Sequence, residues 1–248
     1  MIALRLLRVV LHLFVGLGTC ALIFPFATPA GRERRIQQWS FKLLELCRVR
    51  VEVRDLTDGA ENSHALIVAN HVSWLDIFAI NAIQPCRFVA KSDIRDWPLI
   101  GWLCHKSGTI FISRGNQRGV RRVYRELVDS LRAGERIAFF PEGSTVAQGS
   151  LLPFHANLFE AAIEAQALVQ PYALRYLTDS GDLHRAADFV GEMSFLESLL
   201  TVLRQDRMRA QVSLLPPMPT AGCHRRELAE DARHIIGRAL GYGEAPEA

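Results

Sequence analysis

The run Ala65-Leu66-Ile67-Val68-Ala69 carries no polar side chain and stops abruptly at Asn70-His71. Five apolar residues without alternation suit a strand buried on both faces, and an open sheet provides that only where helices cover both sides. Residues 75–83 follow with a helical pattern, so the polar stretch from Asn70 to Asp76 spans a strand end and a helix start. The same alternation recurs along the chain. Strands are predicted at residues 49–53, 65–69, 87–90, 109–112, 137–140, 169–174 and 211–215. Helical patterns occupy 75–83, 118–133, 158–167 and 195–207, and a last amphipathic helix at 225–240 is stopped by Gly241. The expected fold class is α/β, with a mixed, largely parallel sheet flanked by helices.

The N-terminus departs from this pattern. Residues 9–26 contain no Asp, Glu, Lys or Arg; Arg5 and Arg8 precede them, and Arg32, Arg34 and Arg35 follow. Eighteen helical residues reach roughly 27 Å, borderline for a bilayer's hydrocarbon core. A cleaved signal peptide, a single-pass anchor and a helix lying in one leaflet all fit such a run, although Ala27-Thr28-Pro29-Ala30 lacks an A-x-A cleavage site. Residues 35–46 place Ile36, Trp39, Leu43 and Leu46 on one face and could complete a membrane-facing hairpin. The expected organisation is a membrane-anchoring segment at 1–47 and an α/β domain at 48–248.

Charge and cysteines narrow the function. A net charge of +3 without a nucleic-acid motif gives no reason to expect a nucleic-acid partner. Five scattered cysteines without a C-x-x-C pair favour free thiols in a reducing compartment over disulfides or structural zinc. Cys104-His105 has no second pair at ligand spacing.

Three polar clusters follow three predicted strands: Asn70-His71, Ser113-Arg114 and Pro141-Glu142-Gly143-Ser144. In α/β sheets such strand ends share one crevice. A histidine with a carboxylate five residues later can orient an imidazole as a base, yet H-x-x-x-x-D alone is a weak signal. An arginine closing a strand offers a fork for phosphate oxygens, and a Pro-Glu-Gly turn offers backbone N–H groups and a carboxylate.

Taken together, the clusters resemble the glycerolipid acyltransferase family typified by 1-acylglycerol-3-phosphate acyltransferases. Asn70 to Asp76 matches its N-H-x-S-x-x-D block, Gly108 to Arg114 its G-x-I-F-I-x-R block, and Phe140 to Ser144 its F-P-E-G-T/S block. Lys91-Ser92-Asp93 with Pro98 and Gly101 is similar to the intervening K-S-E…P…G segment, and Val169-Gln170-Pro171 to the V-x-P strand. The resemblance implies acyl transfer from an acyl-CoA or acyl-carrier protein, a donor substrate and not a cofactor, to a lysophospholipid hydroxyl. No metal or redox cofactor is implied. His71 would be the general base and Asp76 would orient it. Asn70 and Ser73 would belong to the substrate site, Lys91 and N–H groups around Gly143 would face the oxyanion, and Arg114 with Glu142-Gly143-Ser144 would hold the acceptor's head. No G-x-S-x-G elbow occurs, in keeping with direct attack by the acceptor.

One position departs from the family pattern. Many members carry arginine after F-P-E-G-T; here the place is Thr145, and residues 146–173 contain no Arg or Lys. Lysophosphatidate, giving phosphatidic acid in phospholipid biosynthesis, is the first expectation for the acceptor. A lyso-ornithine lipid is the alternative, since some of its acyltransferases resemble this chain in having Ser or Thr there and an L-P-F segment, here Leu152-Pro153-Phe154. A non-catalytic lipid-binding protein and a thioester hydrolase are the readings from other classes. The resemblance places the chain at the cytoplasmic membrane, with the catalytic domain on the cytoplasmic side. Arg118, Arg121, Arg122, Arg125 and Arg132 oppose an apolar side, as either a solvated helix face or an attraction for anionic headgroups and donor phosphates.

Overall fold

A computed structural model describes residues 2–59, 65–112 and 117–242. Seven strands form one sheet: β1 (Val49–Asp55), β2 (Ala65–Ala69), β3 (Arg87–Lys91), β4 (Ile110–Ile112), β5 (Ile137–Phe139), β6 (Leu168–Leu177) and β7 (Met208–Leu214). Their order is β1-β7-β6-β2-β5-β3-β4, and every neighbouring pair is parallel except β6 with β7. Strand β2 lies mid-sheet and is buried throughout, as its unbroken apolar run requires.

Helices cover both faces. On one lie α1 (Ile2–Gly18), α2 (Pro29–Leu46), α3 (Leu75–Ile83) and α7 (Phe195–Arg204), whose Val9, Leu44, Leu75, Ile80 and Val202 share a core with Ile67 and Ala69. On the other, α5 (Gln117–Arg132), α6 (Phe159–Ala165) and α8 (Arg225–Leu240) pack Leu127, Phe159 and Leu228 against Leu66 and Val68. The period of two along β2 therefore feeds two cores, each fully buried side chain contributing about 1.5–3 kcal/mol.

The predicted bounds hold for β2, α3 and α8, where apolar runs and breakers coincide. Strand β6 runs on to Leu177, past the predicted end, because it stays paired with β7 as far as Leu177 opposite Arg209. A short helix, α4 (Ile100–Lys106), lies outside the expected elements. It packs so tightly that a Cβ on Gly101 would come 2.1 Å from the Arg95 carbonyl oxygen.

The N-terminal helix begins at Ile2, so Arg5 and Arg8, which precede the apolar run, lie in its first turns. Ile2–Phe26 is the one stretch among the described residues long and apolar enough to cross a membrane, its last turns loosening around Pro25. Helix α2 starts at Pro29 behind a Thr28 cap and returns against α1. The His12 and Trp39 rings stack at 4.7 Å; each ring N–H donates to the other's backbone carbonyl, at 2.9 Å and 3.0 Å. Gly16 leaves room for that indole, since a Cβ there would lie 2.7 Å from Trp39 Nε1. The Arg5 guanidinium donates to the Leu203 and Gln205 carbonyls at the end of α7, at 2.7 Å and 3.1 Å, so α1 is fastened to α7 near its start and to α2 farther along.

Candidate active site

The chain leaves β2 at Ala69, and the next residue closes the sheet. Asn70 accepts from the Leu174 N–H and donates to the Leu174 carbonyl, at 2.8 Å and 2.9 Å. This fixes where His71 emerges. The His71 N–H donates to Glu142 Oε1 at 2.8 Å and its carbonyl accepts from the Val146 N–H at 2.9 Å. The ring stacks on Phe140 at 3.9 Å with planes 6° apart. Backbone and ring are thus held from independent sides.

Asp76 stands in the first turn of α3 and is fully buried. Its Oδ2 accepts from His71 Nδ1 at 2.8 Å, the Val72 N–H at 2.7 Å and the Ser73 N–H at 2.9 Å. Its Oδ1 accepts from the Tyr176 hydroxyl at 2.6 Å. Four donors around a buried carboxylate compensate for its desolvation, as a buried charge requires. A carboxylate can only accept, so the proton on this edge of the ring sits on Nδ1 and leaves the Nε2 lone pair free. With its side chain 18% exposed, the imidazole is the reachable member of the pair.

The turn after β5 completes the crevice floor. The Gly143 N–H donates to the Phe140 carbonyl at 3.1 Å, and Gly143 takes φ 71°, a conformation that favours glycine. Glu142 points inward, its Oε1 on the His71 N–H and its Oε2 on the Leu152 N–H at 2.8 Å. Phe189 clamps the two loops together: its N–H donates to the Val72 carbonyl at 3.0 Å and its carbonyl accepts the Thr145 hydroxyl.

The expected site residues therefore separate. His71, Asp76 and the Glu142-Gly143-Ser144 turn come together. Asn70, Ser73 and Glu142 are buried, and Asn70 and Glu142 are spent on backbone groups, so their placement holds the loops and does not present them to a substrate. The Gly143 N–H is spent on its own turn, so the free donors there are the N–H groups of Ser144 and Thr145, which have no partner among the described residues. Lys91 is exposed at the end of β3, opposite Ile112. Arg114 lies outside the described residues.

Tyr176, Phe140 and Phe189 are additions the sequence did not suggest. The predicted strand ends at residue 174; it is the continuation of β6 to Leu177 that puts Tyr176 in one core with Leu174. Burial raises the Tyr176 hydroxyl well above its usual value, with the Asp76 charge adding to the shift, so Tyr176 acts as a donor.

Burial also raises the Glu142 carboxyl above its ordinary 4.5, overcoming the lowering by the Leu152 and His71 N–H groups. A carboxyl raised on folding binds its proton more tightly when folded. Its stabilising contribution is full below the ordinary value and is lost as pH climbs through the raised one. Compared with Glu142→Gln across pH 4 to about 7, the unaltered protein's advantage in thermal midpoint should shrink as pH rises. An advantage that grew would contradict the burial account.

Known proteins match both the pattern and the fold. The profile of the family described as Acyltransferase matches residues 50–175. A lyso-ornithine lipid O-acyltransferase of Pseudomonas aeruginosa is 37% identical over 238 residues, covering 94% of this chain and 90% of that protein. A 1-acyl-sn-glycerol-3-phosphate acyltransferase of Neisseria meningitidis is 39% identical over 153 residues, covering 62% of this chain and 60% of that protein. The crystal structure of the 1-acyl-sn-glycerophosphate (LPA) acyltransferase PlsC from Thermotoga maritima aligns over 100% of both chains with a TM-score of 0.67. At 18% identity that likeness bears on the fold alone.

Proposed function

The chain belongs to the acyltransferase family, among the glycerolipid acyltransferases, and on that premise we propose that it moves a fatty acyl group from a thioester to a lysolipid hydroxyl with His71 as general base. The observation that carries this is the buried Asp76 carboxylate 2.8 Å from His71 Nδ1, which leaves Nε2 free in a partly exposed ring. The acceptor oxygen attacks the thioester carbon as its proton passes to Nε2. The tetrahedral intermediate then expels the thiolate, and the imidazolium returns the proton to sulfur. The products are an ester and a free thiol, with no acyl-enzyme between them. Asp76 stabilises the imidazolium while it exists. The free N–H groups of Ser144 and Thr145 are the candidates for the oxyanion, and acyl-CoA or acyl-carrier protein would bring the acyl group.

For the acceptor, two observations favour a lyso-ornithine lipid. The relative covered almost end to end carries that name, and Thr145, in the place where many members have arginine, gives its hydroxyl to the Phe189 carbonyl. A phosphate monoester asks for more positive charge than a headgroup bearing one carboxylate and one ammonium. Lysophosphatidate remains the second reading, favoured by the Neisseria relative. With purified protein in lipid, thiol release from one thioester should be about tenfold faster per unit acceptor for the lyso-ornithine lipid, the effect of one charge-assisted contact. Equal or greater rates with lysophosphatidate would reverse the order, and free fatty acid as the sole product would move the protein to the hydrolases.

One helix near the N-terminus is long and apolar enough for a membrane. Its attachment through Arg5 and Val9 supports a helix lying along the domain within one leaflet.

A further inference from the structure

The segment from Ser92 to Lys106 leaves the sheet at β3, at the end where β2 delivers His71, and holds three large apolar side chains outward. Trp97, Leu99 and Trp102 are 45%, 53% and 38% exposed. Leu99 adopts φ 63° and ψ −48°, the centre of a three-residue turn in which the Ile100 N–H donates to the Pro98 carbonyl at 2.7 Å, a backbone rare for leucine. The turn leads into α4 and leaves the Leu99 side chain exposed. The segment is nevertheless rigidly folded. The Gly101 N–H donates to the Trp97 carbonyl at 2.9 Å, and Gly101 touches the Arg95 backbone too closely to accept a Cβ. The turn that starts α4 thus holds two indoles and a leucine together at the surface, an exposed apolar cluster of the kind that marks a contact site.

Its surroundings indicate what covers it. The Lys106 ammonium, at the end of α4, lies 5.8 Å from the Trp102 ring centre. Leu22, Ile23 and Phe26 are exposed as well, so the described residues carry outward apolar surface both on this turn and at the end of the N-terminal stretch. Tryptophans, a leucine and a lysine able to snorkel are the composition that settles at a bilayer's headgroup level.

We propose that the turn carrying Trp97, Leu99 and Trp102 is a second membrane foot, entering the boundary between headgroups and acyl chains beside the mouth of the His71 crevice. This rests on the reading that the protein works at a bilayer. With two footings, the crevice opens onto lipid, and a lysolipid hydroxyl can reach Nε2 without its chain crossing water.

Full-length protein in phosphatidylcholine vesicles brominated near the top of the acyl chains tests this, because bromine quenches only indoles that reach it. The chain has four tryptophans, and Trp39 and Trp74 sit in ring stacks within the protein. The unaltered protein should lose up to about half of its emission, whereas Trp97→Phe/Trp102→Phe, which keeps the apolar surface, should lose almost none. Leu99→Asp, a charge at the tip, should cut quenching to the level of that double variant. Equal quenching in all three proteins would overturn the foot while leaving bilayer binding intact. Failure to bind vesicles at all would remove the bilayer reading and the foot with it. Emission that ignores brominated lipid and responds only to added acyl-carrier protein would assign the turn to a protein partner instead. None of these readouts depends on turnover.

Discussion

His71→Ala is expected to slow acyl transfer by about 10²–10⁴-fold, the usual worth of a positioned general base. The loss should fall on chemistry and not on folding. Asp76 Oδ2 still accepts the Val72 and Ser73 N–H groups, and Oδ1 still accepts Tyr176, so the carboxylate stays satisfied without the ring. His71 keeps both backbone bonds, to Glu142 and Val146, whatever its side chain. Thiol release followed beside far-UV circular dichroism separates the two effects. Undiminished turnover in a folded variant would remove His71 from the mechanism.

The second large effect is at Asp76. In Asp76→Asn the amide oxygen can keep the three donors now on Oδ2, and the new NH₂ can donate to the Tyr176 oxygen where Oδ1 accepted. The constellation therefore survives in shape. What disappears is the negative charge beside the imidazolium, and transfer should fall by about 10²–10⁴-fold, as when a comparable triad loses its carboxylate. Asp76→Ala is the contrasting case, because it strands His71 Nδ1, two N–H groups and the Tyr176 hydroxyl in a buried space, each unsatisfied group costing about 1–3 kcal/mol. Asn should keep the thermal midpoint within a few degrees and Ala should lower it sharply. If both variants melted alike and Asn kept full activity, Asp76 would be structural only.

What could be read in the sequence follows from the range of each interaction. Strand β2 and helix α3 were legible because local apolar patterning decides them, and the His71–Asp76 pair because both partners lie within one loop and turn. The third partner was not, since Tyr176 reaches Asp76 across 100 residues of sequence. The predicted strand stops at residue 174, and Tyr176 enters it only through the pairing of β6 with β7. The Phe-Pro-Glu-Gly segment announced a turn, but the direction of Glu142 depends on where the Leu152 N–H lies, which the turn does not encode. Helix α4 escaped because seven residues beside a strained leucine and a close-packed glycine leave no helical period to detect. Asn70 and Glu142 show the same limit: both sit in the motif, and only the fold reveals that their side chains bond backbone groups of distant loops.

The rings of His12, Trp39, Phe78, Trp74 and Phe195 meet one after another, with centroids 4.7, 5.7, 6.0 and 5.1 Å apart. The ladder runs from the N-terminal helix to Trp74, two residues before the carboxylate that steadies His71. The N-terminal helices are consequently a wall of the enzyme and not a leash. A soluble fragment made by trimming them would open the core that Val9, Leu43 and Leu44 close, and would lose purchase on Trp74. Drift in those helices is correspondingly constrained: changes that any greasy helix could absorb for the sake of insertion must here also preserve an indole's seat.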